Sequence, residues 1–273
     1  MNEKILAKIE SLAPLPRTII EIEEFRKKSD KEISELLTII EKDALMVSTL
    51  LKISNSAMFG FRTKVETPSR AINLLGINFT ISIAIGGSIQ NLLKANLKPY
   101  GITSDDFMKA SNIASSLANF WLSRIEVEHK DDIILAALLQ ETGKFILSSI
   151  LIHEGNVEDF TSKIHNSSIS DAEKEFFEIS TSGVTAQIFR HWKLSENLIN
   201  SIEFVDNLSK VSNEYKQRAQ LLDIIKTATN ILEPLSDESI ECALQKATIY
   251  GFDKSILKSS IEHLKTKLSS EEL

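Results

Sequence analysis

The chain has 273 residues, of which 42% are hydrophobic and 25% are charged, as in a globular protein large enough to bury a substantial core. The formal net charge of −7 argues against nucleic acid as a partner, because an acidic surface repels phosphate backbones. The single cysteine, Cys242, excludes an internal disulfide and a zinc site built from several cysteines. The first residues lack the layout of a signal peptide, so we expect a cytoplasmic protein.

Helical periodicity dominates the first part of the chain, and the scarcity of glycine (9) and proline (5) favours an all-α fold. A short amphipathic helix is followed by Pro16, which suits the first turn of a second helix. A third helix is expected to begin after Ser29 or Asp30, and Asp43 is the predicted N-cap of a fourth. A fifth helix is expected to stop at Gly76.

The stretch 78–94 is apolar on nearly all sides and is predicted to be a central helix. Polar residues such as Asn78 and Gln90 within it argue against a membrane span, and we expect no membrane partner. Gly86 and Gly87 remove two side chains, which favours the close approach of another helix. A phosphate-binding loop is disfavoured, because the strand, the spacing and the lysine of a P-loop are missing.

Residues 96–103 form the best internal boundary, and Ser104 or Asp105 is the predicted N-cap of a long helix. The next helix is apolar on all sides over 133–139, so it is predicted to lie in the middle of a bundle. Shorter helices follow up to residue 206. A polar linker then leads to a tail of three helices.

Polar residues interrupt this most apolar helix at Gln140-Glu141-Thr142-Gly143-Lys144. Glu141 and Lys144 are three residues apart and can pair, which would offset the cost of burying their charges. They can form a structural ion pair or a polar face at a cleft, or they can be the remnant of an active site. The five histidines show no helical His-x-x-x-His pair and no His-Asp doublet, so none is predicted to bind metal.

The segment Ala136–Leu147 resembles the A-x-L-L-H-D-I-G-K-x-x-L stretch of HD-superfamily phosphohydrolases, with Gln140-Glu141 in place of the His-Asp doublet. The chain as a whole is similar to the HDOD family, the HD-related output domain of bacterial signalling proteins. Further stretches share the order and spacing of that family's motifs over about residues 10 to 206. They are Leu12-Ala13-Pro14-Leu15-Pro16, Ile40–Leu45, Leu51–Gly60, Ala71–Gly76 and Val184–Ser195.

The resemblance implies a two-lobed helical bundle, with an N-terminal lobe over 1–100, an HD-like lobe over 101–206 and a C-terminal helical extension over 207–273. It also places the family's other metal positions near Ala110, Thr181 and Val205-Asp206, which are mostly not ligands. Hydrolysis at an HD site needs several His and Asp groups around one or two metals. We therefore expect no metal, no cofactor and no enzymatic activity.

The favoured hypothesis is a non-catalytic regulatory module that binds another signalling protein, or a small ligand, with the oligomeric state left open. Asn55, Ser56, Phe59 and Gly60 are its candidate contact surface between the lobes, although a capped turn with Phe59 and Phe61 packed inward explains them as well.

The alternative is a residual metal-dependent phosphohydrolase or nucleotide-binding protein. Gln140 and Glu141 would then belong to the former metal cleft, and His191 would line it. Lys144 would suit a phosphate there.

Overall fold

A computed structural model describes residues 3–56, 59, 61, 63–93 and 96–269, and within them it contains α-helices, two short 3₁₀ turns and no strand. The prediction of an all-α fold is therefore confirmed. In chain order the helices are α1 (Glu3–Glu10), α2 (Arg17–Arg26), α3 (Ile33–Ile40), α4 (Ala44–Ser54), α5 (Pro68–Leu75), α6 (Ile77–Leu92), α7 (Ser104–Leu122), α8 (Lys130–Leu139), α9 (Gly143–Glu154), α10 (Val157–Asn166), α11 (Ile169–Phe177), α12 (Thr181–His191), α13 (Glu196–Glu203), α14 (Lys216–Ala228), α15 (Asp237–Tyr250) and α16 (Lys254–Ser269).

Local signals set most helix ends in the N-terminal lobe. The Asp43 carboxylate accepts hydrogen bonds from two backbone N–H groups in the first turn of α4, at 3.0 and 3.1 Å. Gly76 ends α5 with φ +81°, a conformation that glycine adopts without steric cost. The predicted start of α3 is wrong, because α3 follows Glu32 and neither Ser29 nor Asp30 caps it. The predicted N-cap of the long helix α7 is wrong too, because Thr103 caps it.

Helix α6 is the centre of the N-terminal lobe and contacts α2, α4, α5 and, across to the second lobe, α8. The predicted close approach at its glycine pair is confirmed on both sides. A Cβ atom on Gly86 would lie 2.2 Å from Leu138 Cδ2 in α8, and a Cβ atom on Gly87 would lie 2.4 Å from Thr49 Cγ2 in α4. The pair therefore allows α6 to pack between two helices.

Helix α8 is the centre of the second lobe and packs against α6, α7, α13 and α14. The segment Lys130–Glu154 is apolar enough by length and composition to cross a membrane, but 89% of its most apolar window is buried inside the protein. Such burial is what a central core helix of a bundle shows. Its hydrophobicity is therefore explained by packing.

The sequence predicts that the polar residues after Leu139 lie inside a continuous helix, and this prediction is wrong. Residues 140–142 form a turn, and α9 starts afresh at Gly143. A Cβ atom on Gly143 would lie 2.4 Å from the Thr181 carbonyl oxygen, so the turn rests directly on the backbone of α12. The interruption brings this turn into contact with the start of α12.

Ion pairs and helix contacts join the N-terminal residues to the second lobe. Helix α1 packs on α9 and α12, and the Trp192 indole N–H donates to the Ala13 carbonyl at 2.9 Å. The Arg26 guanidinium, whose side chain is only 10% exposed, contacts Glu23, Asp132 and the Ser195 hydroxyl. These contacts tie α2 to the starts of α8 and α13.

The C-terminal extension packs against the second lobe. Helix α14 contacts α7, α8 and α13, while α16 lies along α7. The apolar stripe of α16 is buried at Leu257, Ile261 and Leu264. The extension therefore shares a core with the HD-like lobe.

Candidate functional site

A cluster of ionisable side chains lies beneath a cleft where the second lobe meets the C-terminal extension. We call it the buried charge cluster. Its members come from five separate parts of the chain: the 140–142 turn, α9, α11, the segment after α13, and α14. They are Glu141, Lys144, Glu173, Asp206 and Lys226.

Lys144 is the innermost cation of the buried charge cluster, with a residue exposure of 1%. Its ammonium group pairs with the Glu141 carboxylate and lies 3.2 Å from Glu173 Oε1. It also donates to the Thr181 hydroxyl at 3.1 Å and sits 5.0 Å from the centroid of the Tyr100 ring. Oxygen acceptors and an aromatic face thus surround this charge.

Glu173 is the innermost carboxylate and is as deeply buried as Lys144. The Tyr100 hydroxyl donates to Glu173 Oε1 at 3.0 Å, and the Thr181 backbone N–H donates to Oε2 at 2.6 Å. The Thr181 hydroxyl donates to the same carboxylate. Four donors on two oxygens fix the position of this side chain.

Lys226 links the two remaining carboxylates. Its ammonium nitrogen lies 2.7 Å from Asp206 Oδ1 and 3.4 Å from Glu141 Oε1. The Ser182 hydroxyl donates to Asp206 Oδ2 at 2.6 Å. Lys144 and Lys226 therefore share Glu141, and the ion pairs form one continuous chain.

The pKa shifts follow this arrangement. Burial would raise the pKa of the Glu141 carboxyl, but the Lys144 and Lys226 ammonium groups outweigh it and hold that pKa below its usual range. Burial is likewise overcome at Asp206, whose pKa lies well below the ordinary value because of Lys226 and the serine donors. The pKa of Lys226 is raised despite burial, since Asp206 and Glu141 stabilise its charge. The Tyr100 pKa is raised by burial and by Glu173.

These residues do not fit the metal centre that the likeness to HD phosphohydrolases implies. The buried charge cluster contains no histidine, and each of its carboxylates already contacts a lysine ammonium group. In the part of the chain that the structure describes, no group of three or more His, Cys, Asp or Glu side chains is arranged to hold a metal ion. A divalent cation would have to displace an ammonium group to reach these oxygens.

An open cleft of about 910 Å³ lies above the buried charge cluster. One wall comes from α10, α11 and the loop between them, and the other comes from α14 and α15. On the second wall Asp223 accepts from Lys246 at 2.6 Å and from the Tyr250 hydroxyl at 2.7 Å. The cleft is therefore lined by paired charges and hydroxyl groups.

The structure brings most of the predicted second-lobe positions together. Asp206 belongs to the buried charge cluster and Thr181 contacts it, while Ala110 lines a small cavity that Gln140 and Glu141 also border. The side-chain amide oxygen of Gln140 is buried without a hydrogen-bond partner, while its backbone carbonyl accepts from the Thr185 hydroxyl at 3.1 Å.

His191 is the exception, and its predicted place in the cleft is wrong. It is exposed at the C-terminal end of α12, whereas Thr181 at the other end touches the buried charge cluster. Ten helical residues separate the two positions by about 15 Å. His191 belongs to a stretch that resembles a family motif, but it lies far from the cleft.

The predicted N-terminal surface serves largely to close a loop. The Asn55 side-chain amide donates to the Val65 carbonyl and accepts from the Val65 N–H, both at 2.8 Å. Phe59 packs edge-on against Phe79, with ring centroids 5.5 Å apart. Ser56 lines a second cleft of about 1110 Å³, and Gly60 lies outside the described residues.

Sequence reasoning missed Glu173, Lys226 and Tyr100. A charged residue in the mostly apolar run Leu221–Lys226 was the available signal for Lys226, since such a residue needs a buried partner. Glu173 sits among exposed charged residues of α11 and gives no such signal. Tyr100 lies within the expected boundary segment 96–103, where the sequence gives no sign of a role in the site.

A model of the HDOD domain matches residues 12–208, which is most of the chain. An uncharacterized protein of Treponema pallidum (strain Nichols) is 25% identical over 230 residues, or 78% of this chain and 41% of that protein. The chain thus spans about two fifths of the length of this curated relative.

Solved structures show the same fold. A virulence factor from Campylobacter jejuni subsp. jejuni is 27% identical, with a TM-score of 0.56 over 98% of this chain and 100% of that one. A Marinobacter aquaeolei VT8 protein named for signal transduction is 16% identical, with a TM-score of 0.73 over 98% of this chain and 63% of that one. With a family match over residues 12–208 and the predicted motifs in place, the chain belongs to the HDOD family.

Proposed function

We propose that this protein is a non-catalytic regulatory module of the cytoplasm that acts by binding another signalling protein. One observation carries the proposal: every carboxylate of the buried charge cluster is already paired with a lysine of the same chain. Activation of water by a metal needs open coordination positions, which such pairing removes.

Membership of the HDOD family and the signal-transduction name of the Marinobacter aquaeolei VT8 protein support a regulatory role. The acidic net charge of −7 favours a protein over a nucleic acid as the partner. We assign the contact surface to the second cleft, which Leu45, Lys52 and Ser56 line and where Leu45 is 52% exposed. A partner that covers Leu45 would remove its apolar surface from water, and the polar groups around it could form hydrogen bonds to that partner.

Residual hydrolysis or nucleotide binding is the competing hypothesis, and the open cleft of about 910 Å³ is the observation in its favour. Lys144 argues against it. This lysine is buried, and its ammonium nitrogen already contacts Glu141, Glu173 and the Thr181 hydroxyl. A phosphate group could reach it only by displacing these partners.

Activity assays test the non-catalytic part of the proposal. The full chain is incubated with mononucleotides, cyclic dinucleotides and a phosphomonoester, each with Mn²⁺, Mg²⁺ or Fe²⁺. We expect no turnover above that of the Glu141→Gln variant. Turnover by the wild type that this substitution abolishes would overturn the proposal.

Photocross-linking in the source cells tests the binding part. A photoreactive amino acid at Leu45 or Ser56 should trap a discrete protein partner. The same group at Ile249, which is 76% exposed on α15, should not trap it. Equal trapping at all three positions, or at none, would contradict the assignment of the second cleft.

A further inference from the structure

The place where a metal would be expected in the second lobe is filled from the C-terminal extension. Lys226 lies on α14, beyond the residues that match the HDOD family. Its ammonium group reaches Asp206 Oδ1 at 2.7 Å and Glu141 Oε1 at 3.4 Å. A single positive charge therefore bridges two carboxylates that come from different elements, as a bound cation does.

Two buried oxygen atoms without a partner belong to residues that line the same small cavity as Glu141 and Lys226. A small cavity of about 10 Å³ is bordered by Glu141, Lys226, Gln140 and Ser111. Gln140 Oε1 and Ser111 Oγ are buried and make no hydrogen bond, and these residues are only 1% and 4% exposed. Unsatisfied buried oxygens are costly, and here they border the same space as the Lys226 side chain. The volume of this cavity is at the lower limit for one water molecule, so the Lys226 side chain leaves no room there for a hydrated ion.

We propose that Lys226 is a built-in cation that occupies a latent divalent-cation site formed by Glu141 and Asp206, with Gln140 and Ser111 beside it. Carboxylate, amide and hydroxyl oxygens suit hard ions such as Mn²⁺, Mg²⁺ and Ca²⁺. The C-terminal extension thereby fills the cation position with the Lys226 ammonium group. Removal of the Lys226 side chain leaves Asp206 without a lysine partner and Glu141 with Lys144 alone, and it opens room for an ion with its waters.

The inference rests on the non-catalytic function proposed above and explains what takes the place of a metal ion in the second lobe. The two can fail separately. Tight Mn²⁺ binding by the wild type without turnover would overturn the built-in cation alone. Turnover that depends on Glu141 would overturn the non-catalytic function.

Calorimetric titration of the full chain with Mn²⁺, supported by electron paramagnetic resonance of the bound ion, tests the inference. The wild type should show no stoichiometric binding at millimolar Mn²⁺. Lys226→Ala should bind one ion at least about tenfold more tightly than the wild type, which corresponds to about 1.4 kcal/mol. Adding Glu141→Gln to that variant should abolish the gain.

Two control variants separate charge from loosened packing. Lys226→Arg keeps the positive charge and should gain no Mn²⁺ binding. Lys246→Met removes a lysine that lines the same cleft but pairs with Asp223, and it should gain none either. Lys226→Met, which keeps most of the side-chain volume, replaces the alanine variant if that variant fails to fold.

Stoichiometric Mn²⁺ binding by the wild type that depends on Glu141 would overturn the inference. A folded Lys226→Ala protein that binds no more tightly than the wild type would overturn it too. If neither neutral variant folds while Lys226→Arg does, the need for a positive charge at this point is shown directly, which supports the inference.

Discussion

The Lys226 ammonium group lies 2.7 Å from Asp206 Oδ1, and this pair joins the part of the chain that matches the HDOD family to the part beyond it. Asp206 follows α13, and Lys226 points back toward it from α14. The extension is thus held by ion pairs as well as by the apolar contacts of α14 and α16. Perturbing the buried charge cluster should therefore change the stability of both parts together.

Neutralising the innermost cation tests the energetic role of the cluster. Lys144→Met leaves Glu141 and Glu173 without their shared partner, so we expect the free energy of unfolding to fall by about 3–5 kcal/mol. Urea unfolding at neutral pH measures the change. Lys28→Met is the matched control, because the exposed Lys28–Glu35 pair should contribute less than about 1 kcal/mol.

A double variant makes this prediction more specific. Glu141→Gln in the Lys144→Met background removes a carboxylate that has lost one of its two lysine partners. The double variant should therefore lose less free energy of unfolding than the sum of the losses of the two single variants. Strict additivity would show that Lys144 and Glu141 do not stabilise each other.

The pH dependence of stability follows from the lowered pKa of Asp206. An ionised Asp206 contributes stability that is fully present above its unfolded pKa of about 3.9 and is lost as the pH falls through the lower folded value. The free energy of unfolding should therefore decrease below about pH 4 less steeply in Asp206→Asn than in the wild type. Asp237→Asn, at an exposed carboxylate, should leave the wild-type dependence unchanged. Equal acid sensitivity of the wild type and Asp206→Asn would contradict the role of this pair.

The sequence predicts local features of the fold well and distant contacts poorly. The Asp43 cap and the end of α5 at Gly76 depend on a few neighbouring residues, and both are confirmed. Glu141 and Lys144 are three residues apart, so the sequence also predicts their pairing. Lys226 joins them only because α14 folds back onto α8, which no local pattern encodes.

The Asn55 side chain should stabilise the loop that it closes. Asn55→Ala removes two hydrogen bonds to Val65, each worth about 0.5–1.5 kcal/mol, and should lower the free energy of unfolding by about 1–3 kcal/mol. Asn55→Asp keeps the acceptor for the Val65 N–H but places a carboxylate against the Val65 carbonyl, so it should destabilise as well.

Hydrogen exchange at the Val65 amide reports this contact directly and should become faster in both variants. Asn73→Ala is the control, because Asn73 donates only to a carbonyl within its own exposed helix. Unchanged exchange at Val65 in Asn55→Ala would show that the side chain does not close the loop.

Gly143 tests whether the 140–142 turn must lie directly on α12. Alanine is favoured over glycine in a helix by about 1 kcal/mol, so Gly143→Ala would stabilise α9 if the space were open. Its Cβ atom would instead lie 2.4 Å from the Thr181 carbonyl oxygen and 3.0 Å from the Thr185 nitrogen, and backbone atoms cannot rotate away. We expect a net loss of about 1–3 kcal/mol, with movement of the turn that carries Glu141. Gly86→Ala should cost less, because its Cβ atom would meet side-chain atoms of Leu138 and Leu139 and no backbone atom. A Gly143→Ala protein as stable as the wild type would mean that α9 and α12 are not in such close contact.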